Sequence, residues 1–129
     1  MNYKTPGDLK YTQDHEWTHI TEDGHATIGI TDFAQHALGD IVFVELPDID
    51  SSINKGSSFG VVESIKSVSD LFAPLTGKVI EVNQSLVDSP ELLNNDPYAN
   101  WILKLEISNE EEIKSLLEKQ DYEKLQVEQ

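Results

Sequence analysis

Apolar and polar positions along this chain fall into short, mostly β-type runs separated by turn residues. Across residues 11–30 the β-branched and aromatic residues cluster, and Glu22-Asp23-Gly24 in their midst contains the Asp-Gly pair that favours a tight hairpin. Strand, turn and strand are predicted there. Thr31-Asp32 offers an N-cap, Phe33, Ala37 and Leu38 share one helical face, and Gly39 can close the turn in a left-handed conformation, giving a helix of about two turns. Ile41-Val42-Phe43-Val44-Glu45-Leu46 is short and β-branched and ends at Pro47, so it reads as a well-buried strand. Further strands are expected over residues 59–65, 68–73, 78–82 and 101–107, with Pro74-Leu75-Thr76-Gly77 as a turn. Ser89-Pro90 suits the start of a single helical turn through Leu92-Leu93, which Asn94-Asn95-Asp96-Pro97 then breaks. Ser108 and Glu111 have capping-box spacing, and Ile113, Leu116 and Leu117 give the following helix one apolar stripe. Many short strands with small helices at the margin and one at the end predict a mainly β fold, a compact barrel or sandwich.

Composition narrows the chemistry. At 129 residues the chain fits one domain, since two cores of half this size would be too small to stand alone. No apolar run reaches the roughly 18 to 20 residues of a membrane helix, and the N-terminus has neither a signal-peptide core nor an Arg-rich stretch, so a soluble, cytoplasmic product is expected. A formal charge of -15 repels phosphate backbones and anionic membranes, and no local basic patch offsets it. Every basic residue is lysine, so the planar guanidinium fork that grips phosphates is absent. With zero cysteines, any thiol chemistry must arrive on a prosthetic group.

His15-Glu16-Trp17-Thr18-His19 matches the H-E-x-x-H pattern of zinc proteases, whose two histidines share a helix face. In a strand the same two positions stand roughly 13 Å apart, too far to share a metal, so the match is expected to be inert, in a half-exposed strand with Trp17 packed inward. His25 and His36 add no third ligand at a diagnostic spacing. No Gly-x-Ser-x-Gly elbow is present. The segment Gly60-Val61-Val62-Glu63-Ser64-Ile65-Lys66-Ser67-Val68-Ser69-Asp70-Leu71-Phe72-Ala73-Pro74 differs from these. Two apolar arms flank a small polar turn that would hold the Lys66 ammonium out in solvent on a rigid hairpin, within reach of a modifying enzyme.

Glu63-Ser64-Ile65-Lys66-Ser67-Val68-Ser69-Asp70 resembles the lipoyl-lysine motif of the glycine cleavage H-proteins. The likeness extends through Tyr11-Thr12, His15-Glu16-Trp17, Ile28-Gly29-Ile30-Thr31, Leu38-Gly39-Asp40, Val42-Phe43-Val44-Glu45-Leu46-Pro47, Gly77-Lys78-Val79-Ile80-Glu81-Val82-Asn83 and Asp96-Pro97-Tyr98, over about residues 9–125. The resemblance implies a lipoyl-domain-like hybrid of barrel and sandwich in a single domain spanning residues 1–129. Residues 1–8 would be an N-terminal arm, 9–107 a β-rich core and 108–129 a C-terminal helical segment. It implies a monomeric, non-catalytic carrier with lipoate in amide linkage on Lys66, installed by a lipoate ligase or a lipoyl/octanoyl transferase. Its expected partners are a pyridoxal-phosphate glycine decarboxylase, an aminomethyltransferase and a flavin-dependent dihydrolipoamide dehydrogenase. Glu16 and Asp70 match positions the family uses around the docked arm, and Asp14 is a further candidate; all three are expected to be partly exposed acids whose charges solvent screens. The family commonly has glycine where Asp50 and Asn100 stand here, so altered turn geometry is expected at both. Biotin attachment is an alternative, although biotinyl lysines typically lie between two methionines and the neighbours here are Ile65 and Ser67. A lipoyl-relay protein and an unmodified acidic scaffold or metal-binding protein are the others.

Overall fold

A computed structural model describes residues 3–127. Among the described residues nine strands form two antiparallel sheets. The larger has the order β1 (Lys10–Tyr11), β2 (Glu16–Ile20), β3 (His25–Ile30), β9 (Leu103–Ile107), β8 (Gly77–Val82) and β5 (Ser52–Ile53). The smaller consists of β4 (Ile41–Glu45), β6 (Ser58–Ser64) and β7 (Val68–Phe72). Alternation sends Ala26, Ile28 and Ile30 of β3, with Leu103 and Leu105 of β9, into one core with Val44, Val62 and Leu71 of the smaller sheet. Each fully buried aliphatic side chain contributes about 1.5–3 kcal/mol, which is what clamps the two sheets together. The outcome is a mainly β fold of two packed sheets, as the strand pattern predicts, with short helices and a C-terminal helix at its margins.

At the β1–β2 end of the larger sheet the opposite face is buried as well. Trp17 pairs with Gly29 across β2 and β3 and lies so flat on it that a Cβ there would come within 2.6 Å of the indole ring. Trp17, Leu9 and Tyr11 form a second cluster closed by Tyr122 of α4 (Lys119–Val127), whose ring stacks on Tyr11 at 4.6 Å between centroids. The first three residues of β2, Glu16, Trp17 and Thr18, are therefore covered on both faces, and the strand opens to solvent only at His19.

Helix α1 (Asp32–Leu38) forms as the sequence indicates. Thr31 Oγ1 accepts from the Ala34 N–H at 3.1 Å, and Gly39 follows at φ 80°. Elsewhere the structure corrects the sequence. The β4 strand is only half buried: a bulge between Ile41 and Phe43 inserts one residue, so Val42 and Phe43 both face solvent, at 53% and 47% exposure. Asn94 and Asn95 do not break the second helical turn but lie within α3 (Leu92–Asn95), which follows another short helix, α2 (Ser85–Asp88). The apolar stripe of Ile113, Leu116 and Leu117 is not one helix. A 3-10 helix (Glu110–Ser115), capped by Asn109 rather than Ser108, gives way to extended backbone at Leu116, and Leu117 bridges to Tyr11. Two long-range attachments override the local propensity there. The Glu112 carboxylate accepts from Thr76 N and Oγ1 at 2.7 and 2.9 Å, and the open edge of β1 takes both backbone bonds of Leu117.

Candidate functional site

Lys66 stands exposed at the tip between β6 and β7, as the sequence predicts. The turn is pinned from inside. Ser64 Oγ accepts from the backbone N–H of Lys66 (3.3 Å) and of Ser67 (3.2 Å), and Ser64 N–H donates to the Ser67 carbonyl at 2.8 Å. The tip is also tied sideways, because Ile65 N–H donates to the Asp40 carbonyl at 3.0 Å. The two residues flanking Asp40 are fixed in turn by Asn94, whose amide donates to the Gly39 carbonyl (2.9 Å) and whose Oδ1 accepts from Ile41 N–H (2.9 Å). Asn94 is thus a positioning residue two steps from the lysine that the sequence reading passed over as a helix breaker. Its only sequence signal was an Asn-Asn pair, which serves turns and side-chain clasps equally.

The aliphatic stem of Lys66 passes over Gly39, where a Cβ would lie 3.5 Å from Lys66 Cε. Gly39 ends α1, and Ala34, Ala37 and Leu38 of that helix form one wall of a cleft of about 150 Å³. Val62 and Leu71 add apolar surface, and Asp14, Glu16 and Asp70 complete the lining. The structure therefore brings together three acids that the sequence spreads over 56 positions: Asp14 on the turn before β2, Glu16 at the start of β2 and Asp70 on β7.

Glu16 departs from the expected screened surface acid. It is 2% exposed, its Oε2 accepts from the Phe72 N–H at 3.0 Å and its Oε1 from Thr12 Oγ1 at 3.1 Å. Burial pushes its carboxyl up to about 8, against the pull of the Phe72 N–H; the Asp14 charge raises it further and the Thr12 hydroxyl lowers it. Among the described residues no ion pair involves it. Asp14 and Asp70 are exposed, and Asp70 accepts from Ser58 Oγ at 3.2 Å.

The H-E-x-x-H residues lie on a turn and a strand, so the helical ligand geometry is not made. His15 takes φ 66° at the end of the four-residue connection, residues 12–15, joining β1 to β2. Its ring packs on Phe33, Nδ1 is hydrogen bonded to Tyr122 Oη at 2.8 Å, and burial keeps it below the usual histidine range. Of the two departures from the family pattern, Asp50 adopts the positive φ (74°) that glycine would take, whereas Asn100 is recruited differently. The Asn100 side chain donates to the Leu92 and Asp96 carbonyls at 3.0 and 2.9 Å, closing the end of α3. Among the described residues no helix is long and apolar enough to cross a membrane, and no group of three or more His, Cys, Asp or Glu is placed to hold a metal.

Two packed antiparallel sheets that present a single pinned lysine beside a cleft define a carrier domain of the lipoyl class. A family model described as glycine cleavage H-protein matches residues 9–129. A glycine cleavage system H protein of Carboxydothermus hydrogenoformans is 58% identical over 122 residues, covering 93% of this chain and 92% of that one. One from Listeria monocytogenes is 56% identical over 121 residues, covering 93% and 96%. The crystal structure of a glycine cleavage system H protein from Mycobacterium marinum superposes with a TM-score of 0.83 at 44% identity, covering 91% of this chain and 94% of that one. The chain belongs to the glycine cleavage H-protein family. It is a non-catalytic lipoyl carrier that shuttles aminomethyl groups within the glycine cleavage system. Proteins of this family carry a lipoyl-lysine and work with glycine decarboxylase, aminomethyltransferase and dihydrolipoamide dehydrogenase.

Proposed function

We propose that Lys66 is the lipoylated residue, that residues 1–129 act as one monomeric carrier domain in the cytoplasm, and that the Asp14–Glu16–Asp70 cleft receives the loaded arm. The carrying observation is the continuity from Lys66 to the cleft: a pinned, exposed lysine whose stem lies on Gly39, at the end of the helix that walls the three-acid cleft. A lipoate ligase or a lipoyl/octanoyl transferase would install the group. Lys66 Nζ would hold lipoate in amide linkage, and the group would supply reversible disulfide chemistry to the pyridoxal-phosphate decarboxylase, the aminomethyltransferase and the flavin-dependent dehydrogenase, while this chain positions it.

The residues fit that group. Apolar side chains of α1, Val62 and Leu71 match a hydrocarbon arm, and carboxylates suit an arm ending in a protonated amine. Ser64 and the Asp40 carbonyl hold the turn so that little ordering remains when an enzyme engages it. Glu16 joins the β2 end to β7 through the Phe72 N–H, which holds the outgoing arm of the hairpin against the cleft floor.

Intact mass and peptide mapping after incubation with a lipoate ligase test the assignment. A single adduct on Lys66, lost in Lys66→Arg with the fold retained, is expected. The lipoylated chain should support glycine-dependent CO2 exchange only when the decarboxylase is added. Adducts on Lys55, Lys78 or Lys104, or exchange supported equally by unmodified protein, would refute it.

A further inference from the structure

Successive residues of β2 face opposite sides of the sheet, so Glu16 lines the cleft beside Lys66 while Trp17 and His19 line another on the far face, with no lining residue in common. This second cleft, of about 330 Å³, is formed by the rings of Trp17, Tyr98 and Trp101, by buried Leu9 and by exposed Asp8. The polar groups of two of its rings are already spent inside the fold. Trp17 Nε1–H donates to the Pro97 carbonyl at 3.1 Å, and Tyr98 Oη donates to the Lys4 carbonyl and accepts from the Asp32 N–H at 3.1 Å. What these rings still offer an occupant is π surface, and Asp8 supplies the one full charge of the lining. Aromatic surface beside a carboxylate attracts a cation and gives an anion little to hold. The same chemistry is visible next to the cleft, where Lys104 Nζ stands 4.9 Å from the Trp101 ring centroid. That ammonium is itself engaged, by Glu81 at 3.6 Å.

We infer that the Trp17–Tyr98–Trp101 cleft is a docking site for an arginine side chain of a basic partner protein. A guanidinium stacks flat on aromatic rings and is more weakly hydrated than an ammonium, and Trp, Tyr and Arg together carry most of the energy at protein interfaces. The occupant must come from another protein, because this chain contains no arginine. The formal charge of -15 repels a second copy and draws a basic partner. Because the two clefts open on opposite faces of β2, an arginine seated here does not enter the cleft beside Lys66, so docking at this face and use of the lysine are separable.

The test titrates the full-length protein, unmodified and lipoylated, with acetyl-Gly-Arg-Gly-amide and with its citrulline and lysine analogues. Both tryptophans of the chain line the cleft, so tryptophan fluorescence and the indole N–H resonances report on this site directly. The arginine peptide should shift both indole signals with a millimolar dissociation constant, about fivefold or more below that of the neutral citrulline peptide, and equally in the two forms of the protein. Asp8→Asn, at an exposed position, should weaken binding about threefold, as should added salt. Trp101→Leu should abolish the response of Trp17; should that variant not fold, Asp8→Asn and the citrulline peptide still decide. Citrulline bound as tightly as arginine, or binding undiminished in Asp8→Asn, would overturn the charge argument. A lysine peptide of equal affinity would overturn the guanidinium assignment. Shifts spread over the acidic surface with the indole signals unmoved, or no shift at all, would overturn the site. Binding that changes on lipoylation would overturn the separation of the two clefts, and none of these outcomes touches the assignment of Lys66.

Discussion

Glu16 links the unmodified fold to pH in a way that can be worked out in advance. Its folded carboxyl titrates at about 8 against an ordinary value of 4.5. Between those values the folded chain holds a proton that the unfolded chain has released, so stability from this group is complete below pH 4.5 and is lost as pH rises towards 8. By linkage the loss between about pH 5 and pH 8 is on the order of 3 kcal/mol, a large part of the stability of a domain this size. The group is buried, so solvent screening does not reduce the figure. Glu16→Gln keeps the shape and an acceptor for the Phe72 N–H but cannot ionise. Urea unfolding of parent and variant at pH 5, 6, 7 and 8, followed by tryptophan fluorescence, isolates the effect, because the remaining 23 acids are common to both proteins. The variant should gain on the parent steadily, by about 3 kcal/mol from the lowest pH to the highest. Two profiles that stay parallel within about 0.5 kcal/mol would show that Glu16 titrates normally and would refute the burial argument.

Two further outcomes follow from the backbone and from the second core. Asp50→Gly should raise stability by about 1 kcal/mol, since φ 74° is strained for an L-residue and the exposed Lys78 ion pair it gives up is worth little; an unchanged or lower melting midpoint would contradict this. Tyr122→Phe should destabilise the chain by about 1–3 kcal/mol and speed amide exchange across α4, because its hydroxyl meets Thr31 Oγ1 at 2.7 Å and His15 Nδ1 at 2.8 Å in a buried setting. Parent-like exchange in residues 119–127 would remove Tyr122 as the anchor of that helix.

Local chemistry alone determined much of this protein. Alternating apolar residues, the Asp23-Gly24 turn, the Thr31 cap and Gly39 each act over a few residues, so the mainly β fold and the exposed position of Lys66 could be read directly from the chain, while the hybrid of barrel and sandwich came from the family likeness. The family likeness around Lys66 supplied the chemistry that a lone lysine does not announce. Tertiary structure decided what depends on residues distant in sequence. The bulge that turns Val42 and Phe43 outward arises from pairing with β6, and the break in the C-terminal stripe arises from Thr76 and from the open edge of β1. The clasp of Asn94 on Gly39 and Ile41 spans more than 50 residues. The burial of Glu16 was equally invisible in sequence. A glutamate in a strand is usually a solvated charge, and only the packing of β7 and the Thr12 turn around it removes the water that would otherwise hold it at an ordinary pKa.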